Sequence, residues 1–289
     1  MYAHEPVLLA ESLDNLVYDK KGVYLDCTFG LGGHSKGILD YLATEGRLYS
    51  VDKDPNVLSY AEKISDSRFE FIKSDFGNIS SIFKNQKFNG ILFDLGISSM
   101  QIDDPDRGFS FSKEGILDMR LDNSHGLTAK EWINSASEKQ LADTFYNLGE
   151  ERKSRIYAKR IVSFRKLKPL ETTKELAEIT RPRGYEKRHP ATNIFRALRI
   201  FINNELEELK CGLKASVKLL KDKGRLAVIS FHSSEDRIVK NFIKESSQYN
   251  SDEAEIKLIS KLKPSKEEIL KNPRSRSAIL RVGEVNYVS

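Results

Sequence analysis

Gly30, Gly32 and Gly33 fall within four positions, and the short apolar runs around them end at or near acids: VYLD at Asp26, RLYSVD at Asp52, FEFIKSD at Asp75 and GILFD at Asp94. A glycine cluster between a strand and a helix lets the backbone turn sharply and approach a ligand closely. Ser35 stands where a dinucleotide site wants its third Gly or Ala for helix packing. Asp52 follows Gly30 by twenty-two residues, about where a ribose-binding acid belongs. The acids discriminate between ligands. The pyrophosphate of NAD would be repelled by carboxylates beside the loop, whereas S-adenosylmethionine brings a cationic sulfonium and ammonium with its ribose and adenine. Phe76, directly after Asp75, offers an apolar face to the adenine. The pattern predicts an S-adenosylmethionine site.

The elements that would position these residues come in an ordered series. Strand runs alternate with helical patterns through Asp94, which reads as a parallel sheet with crossover helices. RLAVISF (225–231) reads as a fifth buried strand, and EIKLISKL (255–262) and SAILRVGEV (277–285) as two later ones. Between Asp104 and about Leu198 the strand signal vanishes. Thr128 with Glu131 and Thr172 with Glu175 have capping-box spacing, and an apolar stripe of Leu141, Phe145 and Leu148 stops at Gly149, read as a C-terminal cap. The expected fold is therefore α/β, a Rossmann-like sheet with an inserted all-helical domain. The sheet domain is expected over residues 1–104 and 200–289, and the insertion over 105–199.

Composition bounds the class. At 289 residues the chain can bury a sizeable core. No apolar run approaches the roughly 20 residues needed to span a bilayer, and the N-terminus lacks the basic start and apolar stretch of a signal peptide. Two cysteines, Cys27 and Cys211, and five scattered histidines give neither a disulfide framework nor metal-ligand spacing, which fits a reducing cytoplasm. Residues 150–200 hold fifteen Lys and Arg against six Asp and Glu, a surplus of +9 in a chain whose total is +5. Such a block points either to phosphates or to a solvated helix face.

The chain resembles the RsmH (MraW) family, bacterial methyltransferases that modify the N4 amine of a cytosine in small-subunit ribosomal RNA. The segments that carry the resemblance are HEPVLLAE (4–11), DCTFGLGGHS (26–35), VDKDP (51–55), DLGISSMQID (94–103), RGFSF (107–111) and LDMR (117–120). HPATNIFRALRIFINNEL (189–206), ISFHSSEDRIVK (229–240) and NPRSRSAILR (272–281) complete the set. They span nearly the whole chain in order. Leu31 stands where the family usually has Gly or a basic residue, and Met100 where it commonly has Pro. The resemblance implies a class I methyltransferase fold, with the helical insertion as an RNA-recognition domain. It implies that Gly32, Gly33 and His34 contact the methionine end of S-adenosylmethionine, that Asp52 holds the ribose, and that Phe76 packs at the adenine. Asp94 and Gln101 would close the site near the transferring methyl. A decoding-region cytosine of 16S ribosomal RNA as target, and homodimerisation, rest on the resemblance alone.

Asp94 carries the chemistry. A cytosine amine is a poor nucleophile because its lone pair is delocalised into the ring, so an acceptor must take up positive charge on the amine as amine, methyl and sulfur line up. Other amino methyltransferases place an acid or amide followed by Pro-Pro-aromatic after the fourth strand. Here DLGIS keeps only the acid, so Asp94 could bind cofactor, orient the amine, or do both. Arg107, Arg196, Arg199, Arg274 and Arg276 are candidate phosphate contacts, and Phe109 or Phe111 could stack on an extruded base. HSSEDR (232–237) reads as a helix start with Ser234 as cap. A hydrolase reading of His232 beside Ser233 fails because no acid is placed to orient the histidine. Two other classes compete with a methyltransferase: an NAD-linked enzyme, disfavoured by the acids, and a non-catalytic RNA-binding scaffold, disfavoured by the glycine loop with Asp52 and Asp94.

Overall fold

The computed structural model describes residues 6–182, 184, 189–248 and 254–287. Among the described residues seven strands form one sheet: β1 (Val23–Asp26), β2 (Arg47–Asp52), β3 (Phe69–Lys73), β4 (Phe88–Asp94), β5 (Leu220–Ser230), β6 (Ala254–Leu262) and β7 (Ile279–Tyr287). Their spatial order is β3-β2-β1-β4-β5-β7-β6. The pairs among β1 to β5 are parallel, and β7 runs antiparallel to both β5 and β6. All seven runs read as strands from the sequence are present. β5 begins earlier than expected, and its pairing with β4 shifts register next to Lys223, whose φ is 60°.

A parallel sheet covered on both faces needs strands that are apolar throughout, and β4, FNGILFD, is buried at every position up to Asp94. Successive side chains then alternate between two cores. Leu25, Ile91, Phe93 and Val228 join Leu213 and Ile243 in one cluster. Tyr24, Leu92 and Ile229 join Leu13, Leu16 and Ile38 in the other. Each such side chain contributes about 1.5–3 kcal/mol through burial, and together they fix the strand ends from which the site residues project.

The strand order reverses at β1, which has β2 on one side and β4 on the other. Such a switch point opens a crevice at the carboxyl ends of the strands. The chain leaving β1 is pinned there first to β4, through Cys27 N–H donating to Leu92 O at 2.8 Å. It is then pinned to β2, through Phe29 N–H donating to Val51 O at 3.1 Å.

The chain divides into two compact units, Met1–Gly96 with Leu206–Ser289, and Ile97–Glu205. The second is helical and extends past the 105–199 read from the sequence, because Ile97 and Ile202 pack against its core. Helices 129–135, 138–147, 154–165, 173–179 and 191–202 surround Trp132, Phe145, Ile161, Leu176, Ile194 and Leu198. Thr128 with Glu131 and Thr172 with Glu175 form reciprocal capping boxes, as their spacing predicts. Gly149 is not the left-handed cap expected of it. Glu150 takes the positive φ (56°), and Gly149 is required for close approach: a Cβ there would lie 2.6 Å from Asn193 O.

Among the described residues no helix is long and apolar enough to cross a membrane.

Candidate active site

The glycine loop lies between β1 and helix Gly33–Tyr41. Gly30 and Gly32 adopt φ of 54° and 76°, conformations that cost other residues energy. Space is short as well: a Cβ on Gly32 would fall 2.8 Å from the Phe29 ring, and one on Gly33 would fall 2.3 Å from Pro6 Cγ. Backbone, not side chains, therefore lines this turn.

Asp52, at the end of β2, reaches across to the loop. Its Oδ2 accepts from Gly30 N–H at 2.8 Å and its Oδ1 from Asp54 N–H at 2.9 Å. Burial pushes its carboxyl up to about 6 despite these two N–H donors, which favour the charged form. A carboxylate held this way presents its remaining lone pairs in a fixed direction, the requirement for gripping a pair of hydroxyls.

Asp26 differs from the other strand-end acids. It is fully buried, and both oxygens serve the loop: Oδ2 accepts from Ser35 Oγ at 2.6 Å, and Oδ1 accepts from Thr28 N–H at 3.0 Å. Ser35 Oγ is also 2.8 Å from Ser50 Oγ on β2. Asp26 thus braces the turn from within and does not face a ligand, contrary to its reading as a crevice acid. Burial raises its pKa, with Ser35 and His34 opposing.

His34 and Asp94 meet at the mouth of the same crevice. His34 Nε2 stands 3.4 Å from Asp94 Oδ2, with the imidazole 4% and the carboxylate 26% exposed. The separation is that of an ion pair without hydrogen-bond alignment, and neither imidazole nitrogen nor Asp94 Oδ1 completes a hydrogen bond. Burial would hold His34 neutral, but the Asp94 and Asp26 carboxylates outweigh it and raise its pKa above the ordinary histidine value. The Asp94 backbone is located by Thr28, whose Oγ1 accepts its N–H at 2.6 Å.

Phe76 is half-buried, edge-on to Phe93 with ring centres 5.5 Å apart, and packs against the sheet core. Asp75 beside it is paired with Lys53 at 3.3 Å, and Lys53 also donates to Glu208 at 2.8 Å. Burial acts to lower the Lys53 pKa, but Glu208 and Asp75 raise it overall. Gln101 belongs to the helical unit. It is 5% exposed, and its Oε1 accepts Ser98 N–H in a capping box at the start of helix Ser99–Asp103.

The arginines expected at phosphates divide into two groups. Arg107 is 7% exposed, donates to the carbonyls of Arg120 and Leu121, and covers the Phe109 ring. Arg196 donates to Gly149 O, and Arg199 forks onto Glu205 at 2.8 Å through both Nε and Nη2. These three arginines brace the helical unit from within. Arg274 and Arg276 are exposed on the turn Pro273–Ser277. Phe109 is buried in the helical core, and Phe111 is half-buried against it, with its ring 5.2 Å from that of Phe195 and 5.4 Å from that of His189. Phe111 lines a cavity of about 600 Å³ with Lys174, Ala177, Arg181 and His189.

Of the basic block, Lys159 and Lys166 are exposed, whereas Arg160 donates to Arg181 O and Arg165 to Ile133 O. Arg183, Lys187 and Arg188 lie outside the described residues. The HSSEDR segment begins helix Ser233–Gln248, and Glu235 Oε2 accepts the N–H of Phe231 at 2.8 Å. Glu235 also brings Oε1 to 3.0 Å from His232 Nε2, so an acid does stand beside this histidine, three residues on. That acid also accepts backbone N–H at the start of the helix, which makes the group a cap.

The roles of Thr28 and Lys53, and the bond of Ser35 to Asp26, do not follow from the sequence reading. Thr28 and Ser35 lie two and nine residues after Asp26, a spacing that becomes informative only once the loop is known to fold back over the strand end.

The MraW methylase family model matches residues 1–286. Proteins called ribosomal RNA small subunit methyltransferase H are similar along their full length. That of Hamiltonella defensa is 44% identical, covering 97% of each chain, and that of Nitrosococcus oceani is 43% identical, covering 98% of this chain and 96% of its own. Among solved structures, an rRNA methylase from Streptococcus thermophilus overlaps with a TM-score of 0.40 at 12% identity, over 96% of this chain and 92% of that one.

Proposed function

Because the chain belongs to the MraW methylase family, it is an S-adenosylmethionine-dependent methyltransferase, and we propose that its acceptor is the N4 amine of a cytosine in 16S ribosomal RNA of the small subunit. The names of its relatives support the ribosomal substrate. The cytosine and the position of its amine rest on the family resemblance, as does homodimerisation.

The observation that carries the reading is the open polar group at the switch point. Among the described residues, Asp94 Oδ1 and both nitrogens of His34 are buried polar atoms without a hydrogen-bond partner, side by side at the ends of β4 and of the glycine turn. These residues fit the cofactor. The glycine turn presents backbone to its methionine end, Asp52 accepts from its ribose hydroxyls, and Phe76 gives an apolar wall for adenine. When bound, the cofactor supplies an electrophilic methyl on a sulfonium. Asp94 would accept a hydrogen bond from the acceptor amine, orient its lone pair, and stabilise the positive charge that grows there as the nitrogen–methyl bond forms and the methyl–sulfur bond breaks, the amine then losing one proton. Charge that appears only in the transition state is where a fixed carboxylate contributes most.

The helical unit holds the polyanion. The surplus of +9 in residues 150–200 supports that role.

The test is transfer of radiolabelled methyl from S-adenosylmethionine to purified small ribosomal subunits, followed by mapping of the modified nucleotide. Label on an N4-methylated cytosine is expected. Label on another base or atom, or none on any ribosomal particle, overturns the acceptor assignment.

A further inference from the structure

His34 sits at the second position of helix Gly33–Tyr41, immediately after the glycine turn. The charged groups facing it among the described residues are Asp94, from the end of β4, and Asp26, from the end of β1. The Val7 carbonyl also approaches the ring without completing a hydrogen bond. Asp26 is sealed in by Ser35 and Thr28. Two carboxylates that share a poorly solvated space repel each other unless a cation or a proton joins them. Among the described residues, the cation paired with Asp94 is His34.

We propose that His34 is an exchangeable counter-charge: its imidazole is protonated beside Asp94 until a sulfonium ligand docks, and then releases that proton to bulk buffer. The inference rests on the methionine end of the cofactor lying at Gly32, Gly33, His34 and Asp94. It follows from charge balance. A cation brought to the crevice competes with the imidazolium for Asp94, the partly exposed carboxylate of the two, so the ring becomes less basic in the complex. S-adenosylhomocysteine, the demethylated product, has lost the sulfonium charge and leaves the imidazolium in place. The two ligands are otherwise alike. His34 therefore makes discrimination between cofactor and spent product depend on pH, with the charged cofactor favoured increasingly as pH rises.

Titration calorimetry on the full chain tests this, in buffers matched in pH but differing in ionisation enthalpy, with S-adenosylmethionine and S-adenosylhomocysteine as ligands. Between pH 6 and 8 the wild type is expected to release more protons with the sulfonium ligand than with the thioether. The ratio of the two affinities is expected to rise with pH, by at most about tenfold per unit for one proton. His34→Asn and His34→Gln should remove both differences. The contribution of Asp52 cancels in the ratio, because both ligands carry the same ribose. Equal proton release for the two ligands in the wild type overturns the proposal, and so does a difference that survives in the variants. If neither variant folds, the wild-type comparison alone decides. If neither ligand binds, the cofactor placement itself falls. Tight binding of both with equal proton counts leaves the cofactor placement standing and removes only the role of His34.

Discussion

The hydroxyl of Thr28 accepts the backbone N–H of Asp94 at 2.6 Å, so the loop after β1 and the end of β4 are joined by one side chain. This bond ties the residue assigned to the acceptor amine to the segment that leads into the glycine turn. Replacing Thr28 with Val removes the acceptor and keeps the shape. A loss of about 1 kcal/mol of stability is expected, up to about 3 if water cannot reach the amide. Thr28→Ser should recover most of it. Urea unfolding gives the stability, and unchanged methyl transfer in a destabilised Thr28→Val would show that the join does not position Asp94.

Asp52→Ala is expected to weaken S-adenosylmethionine binding by about 1–3 kcal/mol, the cost of leaving ribose hydroxyls unpaired. The pH dependence has a definite sign. The carboxyl titrates near 6 in the folded protein, above its ordinary value of 3.8, and accepts hydroxyl donors best when ionised. Affinity for any adenosine-bearing ligand should therefore fall as pH drops through about 6, and Asp52→Asn should flatten that profile. Folding runs the other way. An acid whose folded pKa is raised binds its proton more tightly in the native state, so its contribution to stability declines as pH rises from about 4 to 6. Calorimetric affinities and unfolding curves across that range check both signs.

Asp94→Ala should lower single-turnover methyl transfer far more than it lowers RNA binding, because charge on the amine develops only in the transition state. Asp94→Asn keeps the shape and one acceptor but loses the charge, so its rate relative to Ala measures what geometry alone contributes. A single-turnover rate near wild type in Asp94→Ala would remove this residue from the chemistry.

The RNA surface is best probed at side chains that do not hold the helical unit together. Arg152, Arg155, Lys159 and Lys166 are exposed, whereas Arg160 and Arg165 donate to backbone carbonyls within the unit. Changing the four exposed residues to Gln should weaken binding to ribosomal subunits. It should also flatten the dependence of log affinity on log salt, by about 0.7 per lost contact on single-stranded RNA. Cofactor affinity should stay the same. If these four are only a solvated face, subunit affinity and salt slope will match wild type, and the contact surface moves to Arg274 and Arg276.

The first four strands were legible because each is a short apolar run that ends at or near an acid, and Asp52 and Asp94 could be placed from those ends alone. The capping boxes were legible because their spacing is local. What stayed hidden depends on partners distant in sequence. Asp26 reads like Asp52 until Ser35 is seen folded back onto it. Arg107 reads as a phosphate fork until the carbonyls of Arg120 and Leu121 are found under its guanidinium. Gly149 reads as a left-handed cap, yet it is small because the carbonyl of Asn193 passes beside it. Residue type announces capacity; which partner claims it is settled by the fold.

β4 and β5 are neighbours in the sheet, yet the chain between them runs through all of Ile97–Glu205. Were that stretch unfolded, closing a loop of about 110 residues would cost about 4 kcal/mol in chain entropy before the first β4–β5 hydrogen bond formed. A helical unit that folds on its own contacts first fixes its two ends relative to each other and removes most of that cost. The expected order of folding is helices before the centre of the sheet, and core truncations at Phe145 or Ile194 should slow the pairing of β4 with β5, although neither residue belongs to a strand.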